Sequence, residues 1–172
     1  GMGGVWLARD GRLDRRVAIK VLPASVAEDR DSLARLEREA RVLAQLEHPN
    51  VAAVYGLERA HDGAGELLLV MQYAEGETLG HRIGGAGVSI EEALVIARQI
   101  AAGLGAAHDK GIIHRDLKPA NVMLNEGPAG ALEVKVLDFG LAKAQTASER
   151  SGGADMSASP TMAAMTADGF IL

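Results

Sequence analysis

The sequence predicts an α+β chain folded in two lobes, a small β-rich lobe followed by a mostly helical one. Three observations carry that expectation. Short apolar runs of strand character, with one long periodic stretch among them, fill the chain up to Tyr73. A glycine-rich connector follows at 76–87. Beyond it lie the longest helical pattern, at 89–109, a polar loop and one further strand.

Each element has its own signal. The runs at 5–7 and 16–22 are separated by Asp10-Gly11, and aspartate-glycine between two such runs marks a hairpin. Val17 to Val21 alternates and meets Pro23, as a strand should. The spacing of Leu33, Leu36, Ala40, Leu43 and Leu46 predicts a helix over 32–47, stopped by Pro49. Two more strands are expected at 51–57 and 66–73. The second is apolar throughout and is expected to be buried on both faces. The stretch 76–87 has little pattern beyond a short helix. Ser89-Ile90-Glu91-Glu92 is a capping-box signature for the helix at 89–109. A loop dense in polar groups is expected over 112–125, and a strand over 134–137. From Lys143 onward Ser, Thr, Ala, Gly and Met dominate without periodicity, as in a mobile loop.

Composition narrows the function. The formal net charge of −5 argues against a nucleic-acid partner, which calls for a basic face. There is no cysteine, so disulfides and thiolate metal sites are excluded, in keeping with a cytoplasmic setting. No apolar run is long enough to predict a membrane span in this chain.

Several residues are suited to moving a phosphoryl group, which requires gripping a triphosphate, neutralising it with metal, and orienting and deprotonating an acceptor hydroxyl. Asp116 and Asn121 lie five residues apart in His114-Arg115-Asp116-Leu117-Lys118-Pro119-Ala120-Asn121. The carboxylate can take a hydroxyl proton, and the amide oxygen can hold a divalent ion. Lys118, between them, can neutralise the phosphate in transfer. Asp138-Phe139-Gly140 follows a strand, where a carboxylate can chelate magnesium. By itself that triplet is more often a plain turn; its place shortly after the run His114 to Asn121 reverses that reading. Lys20 ends the strand Val17-Ala18-Ile19-Lys20 and would ordinarily extend to water. A partner on the following helix would aim it instead. Glu39 and Glu37 compete for that role, about 200° apart on an ideal helix, and Glu39 stands next to the apolar stripe. Gly1, Gly3 and Gly4 offer backbone that can approach phosphate closely.

Together these residues resemble the protein-kinase family. Gly1-Met2-Gly3-Gly4-Val5 is similar to the end of its glycine-rich loop, and Val17 to Lys20 to its ATP-anchoring strand. His114 to Asn121 is similar to its catalytic loop, and Asp138-Phe139-Gly140 to its magnesium motif. Lys118 in Asp116-Leu117-Lys118-Pro119 is the serine/threonine form, and this stretch with Ala8-Arg9-Asp10 resembles bacterial kinases of the eukaryotic-like type. The resemblance implies a protein-kinase-like fold with an N-lobe at 1–71, a hinge at 72–76 and a partial C-lobe at 77–172. It implies ATP and Mg²⁺ as cofactors and protein substrates with Ser or Thr acceptors. Asp116 would be the catalytic base, Lys118 a phosphate contact, and Asn121 and Asp138 the metal ligands. Lys20 would hold the α- and β-phosphates and pair with Glu39. Met71 would be the gatekeeper, and the Gln72 carbonyl and Ala74 amide would bond the adenine edge. Val5, Ala18 and Leu124 would sandwich the ring. Leu43, Val54, His114 and Phe139 would stack as a column. Arg115 implies control by a phosphate on the loop that follows, with Thr161 and Thr166 the foremost acceptors and Ser157 and Ser159 behind them. Two rivals stay open: a kinase-like module that binds nucleotide or a partner without turnover, and a small-molecule phosphotransferase, which usually lacks the Lys-Pro step.

The match is incomplete at both ends. The first two glycines of the nucleotide loop and the Ala-Pro-Glu motif do not occur. The helix at 89–109 is therefore expected to lack partners for part of its apolar face. At about 25 cal/mol per Å², a few hundred Å² left bare costs several kcal/mol, against a typical stability of about 5–15 kcal/mol. The chain on its own is predicted to be marginal, aggregation-prone and poorly active. Its purification as a soluble monomer with a cooperative melt would contradict this.

Overall fold

The computed structural model describes residues 4–60, 66–127 and 130–139. Two antiparallel sheets organise them. The first is built from β1 (Val5–Asp10), β2 (Arg15–Val21), β3 (Val54–Arg59) and β4 (Leu67–Gln72), in the order β1-β2-β4-β3. The second holds β5 (Glu77–Thr78), β6 (Val122–Glu126) and β7 (Leu132–Val136), in the order β5-β6-β7. The helices are α1 (Ala24–Glu28), α2 (Arg30–Leu43), α3 (Leu79–Gly84) and α4 (Ile90–His108), with a 3₁₀ turn at Pro119–Asn121.

The β1–β2 hairpin forms at Asp10-Gly11 as expected, and the Asp10 carboxylate closes it by accepting from the Arg12 and Leu13 amides. Those bonds, Leu13's foremost, hold the Asp10 carboxyl below its usual range. Helix α2 starts two residues earlier than the periodicity suggests, because Asp29 caps it by accepting from the Ser32 amide at 3.0 Å. It also ends earlier: Gln45 and Leu46 bond three residues back instead of four, so Leu46 joins the core from a tightened turn. The capping box at Ser89 forms in full, with Ser89 and Glu92 each bonding the other's backbone.

Strand β4 corrects one expectation. Leu67, Leu69 and Met71 are buried, whereas Leu68, Val70 and Gln72 are half-buried, so the strand is not sealed on both faces. Alternate side chains point to opposite faces, and only one face of this sheet is covered by α2 and the core. The stretch expected as a loop over 112–125 contains β6, and the connector contains the short β5. Neither was expected, since β5 is two residues long and β6 follows directly on the polar loop.

The larger core cluster joins Leu36 and Leu43 of α2 to Leu69 and Met71 of β4, and to Val51, Val136 and Phe139. A smaller one packs Ile96 of α4 against Val122, Leu124 and Val134. Ile90 and Leu94, on the same helix, lie exposed. Among the described residues, no helix is long and apolar enough to cross a membrane.

Gly76, at the passage from β4 to β5, has φ of +108°, and a Cβ there would sit 1.9 Å from the Leu124 carbonyl oxygen. Gly76→Ala is predicted to cost about 2–3 kcal/mol through left-handed strain and this clash. Urea unfolding of the variant against the parent measures it.

Candidate active site

The polar loop takes its shape from bonds between near neighbours. Pro119 opens the 3₁₀ turn, where its missing N–H costs nothing. The Asn121 amide donates to the Lys118 carbonyl at 2.9 Å, and its side-chain Nδ2 to the Asp116 carbonyl at 2.9 Å. Lys118 Nζ meets Asp116 Oδ2 at 3.0 Å. His114, buried at 3% exposure, faces the Leu137 carbonyl with Nε2 at 2.8 Å, and its Nδ1 accepts from the Asp116 amide at 3.3 Å. A carbonyl can only accept, so these partners assign the proton to Nε2. The Phe139 ring lies 4.6 Å from that of His114. Leu137 is tied back again, its amide donating to the Asn121 carbonyl at 2.9 Å.

Lys20 reaches this loop from the first sheet. Its Nζ lies 2.6 and 2.5 Å from the two oxygens of Asp138, two residues beyond the end of β7. The expected pairing of Lys20 with Glu39 is not formed. Glu39 is half-buried and Glu37 exposed, in line with the helical phase, but Glu39 Oε1 takes a bond from Arg115 Nη1 at 3.2 Å. The physical reason is competition for charge. Asp138 engages the Lys20 ammonium with both oxygens, while the Arg115 guanidinium offers Glu39 a donor nearby. Arg115 and Asp138 both have left-handed backbone, φ of 61° and 56°, which non-glycine residues seldom adopt.

On the opposite side, Val5 pairs with Lys20, and Ala18 with Met71, in the first sheet. Met71 is buried beside Leu43, Phe139 and half-buried Val54 in the larger core. Leu124 is not placed as expected. It points into the smaller core against Ile96 and Val134, while Met123 turns the other way and lines a cavity of about 230 Å³ with Gln72, Tyr73 and Ala74. The alternation of β6 puts neighbouring residues on opposite faces. Val122-Met123-Leu124 shows no polar–apolar alternation, so the sequence could not give its phase. Within the connector, Glu77 meets His81 Nδ1 at 2.8 Å and accepts from Arg82 Nε at 2.5 Å. Both bonds, that of His81 first, hold its carboxyl below the usual range. Gly1, Gly3, Thr161 and Thr166 lie outside the described residues.

A family model described as "Protein kinase domain" matches residues 1–165. The chain belongs to the protein kinase domain family. It is 44% identical over 146 residues to the serine/threonine-protein kinase PknB of Mycobacterium leprae, covering 84% of this chain and 23% of that protein. The chain thus spans about a quarter of the length of that curated relative. The crystal structure of the Mycobacterium tuberculosis PknI kinase domain superposes with a TM-score of 0.69 at 31% identity, covering 83% of this chain and 56% of that one. Rad53 1-466, solved in complex with AMP-PNP, gives a TM-score of 0.67 at 27% identity over 82% of this chain and 35% of its own.

The donor set suits the metal that a kinase domain implies. Asn121 spends its Nδ2 on the Asp116 carbonyl, which leaves the amide oxygen as the atom an ion would take. With the Asp138 carboxylate this makes a sparse, hard-oxygen pair, as magnesium uses when phosphates and water supply the rest. Among the described residues, no cluster of three or more His, Asp or Glu forms a self-sufficient metal cage.

The Lys20–Asp138 pair is only partly buried, with 14% and 27% of the two side chains exposed. Asp138→Ala is therefore predicted to destabilise the nucleotide-free protein by about 1–2 kcal/mol, between the values for surface and fully buried pairs. Thermal melting without nucleotide checks it.

Proposed function

We propose that this chain carries the centre of an ATP-dependent kinase that phosphorylates serine and threonine hydroxyls of proteins. The observation that supports it best is a run of contacts joining both sheets. Lys20 bonds Asp138, the neighbouring Leu137 bonds Asn121, and Asn121 bonds Asp116, which pairs with Lys118. Five polar groups, with four tasks among them, thereby sit on one connected frame.

Asp116 accepts the proton of the attacking hydroxyl as its oxygen forms a bond to the γ-phosphorus and the bond to the ADP oxygen breaks. Lys118, held against Asp116, balances the charge on the transferring group. Asn121 and Asp138 hold magnesium, which when bound neutralises phosphate oxygens. Lys20 then turns from Asp138 to the α- and β-phosphates. Met71 and the Gln72–Ala74 segment receive the adenine, with Val5 and Ala18 above it and Met123 below in place of Leu124.

A binding module without turnover is favoured by one observation, the attachment of Glu39 to Arg115. Phosphoryl transfer from labelled ATP to a general protein substrate, using the full-length protein, separates the two readings. Asp116→Ala is expected to lower the rate about 10²–10⁴-fold, with label on Ser and Thr in the parent. Absence of transfer by the parent, with nucleotide binding retained, would establish the module. Transfer that survives both Asp116→Ala and Asp138→Ala would overturn the site assignment.

A further inference from the structure

Strand β7 lies at the edge of its sheet, yet Val134 and Val136 are fully buried. Its odd-numbered residues face β6 in the ladder, and the even-numbered ones turn their peptide groups outward. An edge of that kind needs partners, because a buried backbone group left unpaired is costly. Among the described residues no strand pairs along this edge, and the loop at 48–53 makes only one isolated bridge, Val51 with Val136. Gln99 of α4 donates from Nε2 to the Leu132 carbonyl at 2.8 Å and accepts at Oε1 from the Val134 amide at 3.0 Å. Asn50 donates from Nδ2 to the Val134 carbonyl at 2.9 Å, and its own carbonyl accepts from the Val136 amide at 2.9 Å. The Ala52 amide then donates to the Val136 carbonyl at 3.0 Å. The outward groups from the Leu132 carbonyl to the Val136 carbonyl are thus each taken in succession. The two side-chain amides also bond each other, Asn50 Nδ2 to Gln99 Oε1 at 2.8 Å.

The packing around this edge leaves no slack. A Cβ on Gly103 of α4 would lie 3.0 Å from the Asn50 carbonyl oxygen and 3.2 Å from Val51, so the helix approaches the loop to the limit a glycine permits. On the solvent side Lys135 donates to the Pro49 carbonyl at 2.8 Å, and burial lowers the pKa of its ammonium, with Glu133 opposing.

We propose that Gln99 and Asn50 are positioning residues for Asp138. They stand in for a missing strand, fix the register of β7, and so fix where its last residues deliver the carboxylate. Asp138 follows Val136 by two positions, roughly 7 Å of extended chain, and a one-residue slip would turn it to the other face. The inference rests on the proposed role of Asp138 as metal ligand. Neither amide touches nucleotide or metal; both act through the strand.

The test uses the full-length protein with Gln99→Ala, Asn50→Ala and the near-isosteric Gln99→Glu, which keeps the acceptor for Val134 but removes the donor to Leu132. Arg98→Ala, exposed on the same helix, is the control. Two quantities are measured: the Mg²⁺ concentration that half-saturates binding of a fluorescent ATP analogue, and hydrogen exchange in the nucleotide-free protein. The Mg²⁺ midpoint is expected to rise about tenfold, as when an outer-shell partner of a metal ligand is lost. Exchange should accelerate over 132–139 and stay unchanged over 67–72. An unaltered Mg²⁺ midpoint, or acceleration spread evenly over both segments, would make these residues merely structural and overturn the proposal. Should the alanine variants fail to fold, Gln99→Glu decides by the same two readings. A parent protein that binds nucleotide with Mg²⁺ but transfers no phosphate would remove the proposed activity while leaving this inference open to its own readout. A parent that binds no nucleotide would remove both.

Discussion

Strand β7 is the part on which the rest of the site depends. It meets β6 on one edge, α4 and the loop at 48–53 on the other, and buries Val134 and Val136 completely. Leaving one of its peptide groups unmet would cost about 1–3 kcal/mol, a large part of what a domain has to spare. Residues distant in sequence, Asn50, Gln99 and Asn121, therefore converge on it. What emerges from the end of the strand is Asp138, and the Lys20 ion pair inherits its geometry from that strand.

Beside the shared core, two ion pairs bridge the two halves of the site. Two cations, Lys20 and Arg115, meet two carboxylates, Asp138 and Glu39, and the pairs formed are Lys20–Asp138 and Arg115–Glu39. Moving Glu39 to Lys20 within the same set would strand Asp138 and Arg115 together with no other charge gained. The exchange becomes favourable only when a cation occupies Asp138 and an anion reaches Arg115. On the proposed function, metal-bound nucleotide would supply the first and a phosphate on a nearby segment the second. On the proposed function, the arrangement described is the one electrostatics selects for the protein alone.

What the sequence made legible was local. The capping box at Ser89, the Asp10-Gly11 hairpin and the phase of Glu39 against Glu37 are each settled by residues within about a turn of one another. The grouping of Asp116, Lys118 and Asn121 belongs to the same class, because a 3₁₀ turn and short-range bonds hold it. The choice of partner for Lys20 was not legible, since it is a contest between groups 19 and 118 positions away that local rules do not rank. The facing of β6 escaped for a different reason. Val122, Met123 and Leu124 are all apolar, so the period of two leaves no mark, and only the packing of α4 reveals that Leu124 turns inward.

The two strained residues divide the site into a fixed half and an adjustable one. Left-handed backbone at Arg115 and Asp138 is held only where its surroundings over-determine it. Those surroundings are His114 and Phe139, both nearly inaccessible and in ring contact, with Leu137 bonded to His114 on one side and to Asn121 on the other. All of these belong to the second sheet and its loop. The first sheet contributes Lys20 at the end of a flexible stem, and α2 contributes Glu39 through a half-exposed bond to Arg115. Rearrangement is therefore cheap on the side of Lys20 and Glu39 and expensive on the side of Asp116, Asn121 and Asp138. On the proposed function, a proton acceptor and a metal pair would need fixed spacing between them, whereas a phosphate-gripping ammonium would have to wait for its ligand, and the division of rigidity matches that difference in task.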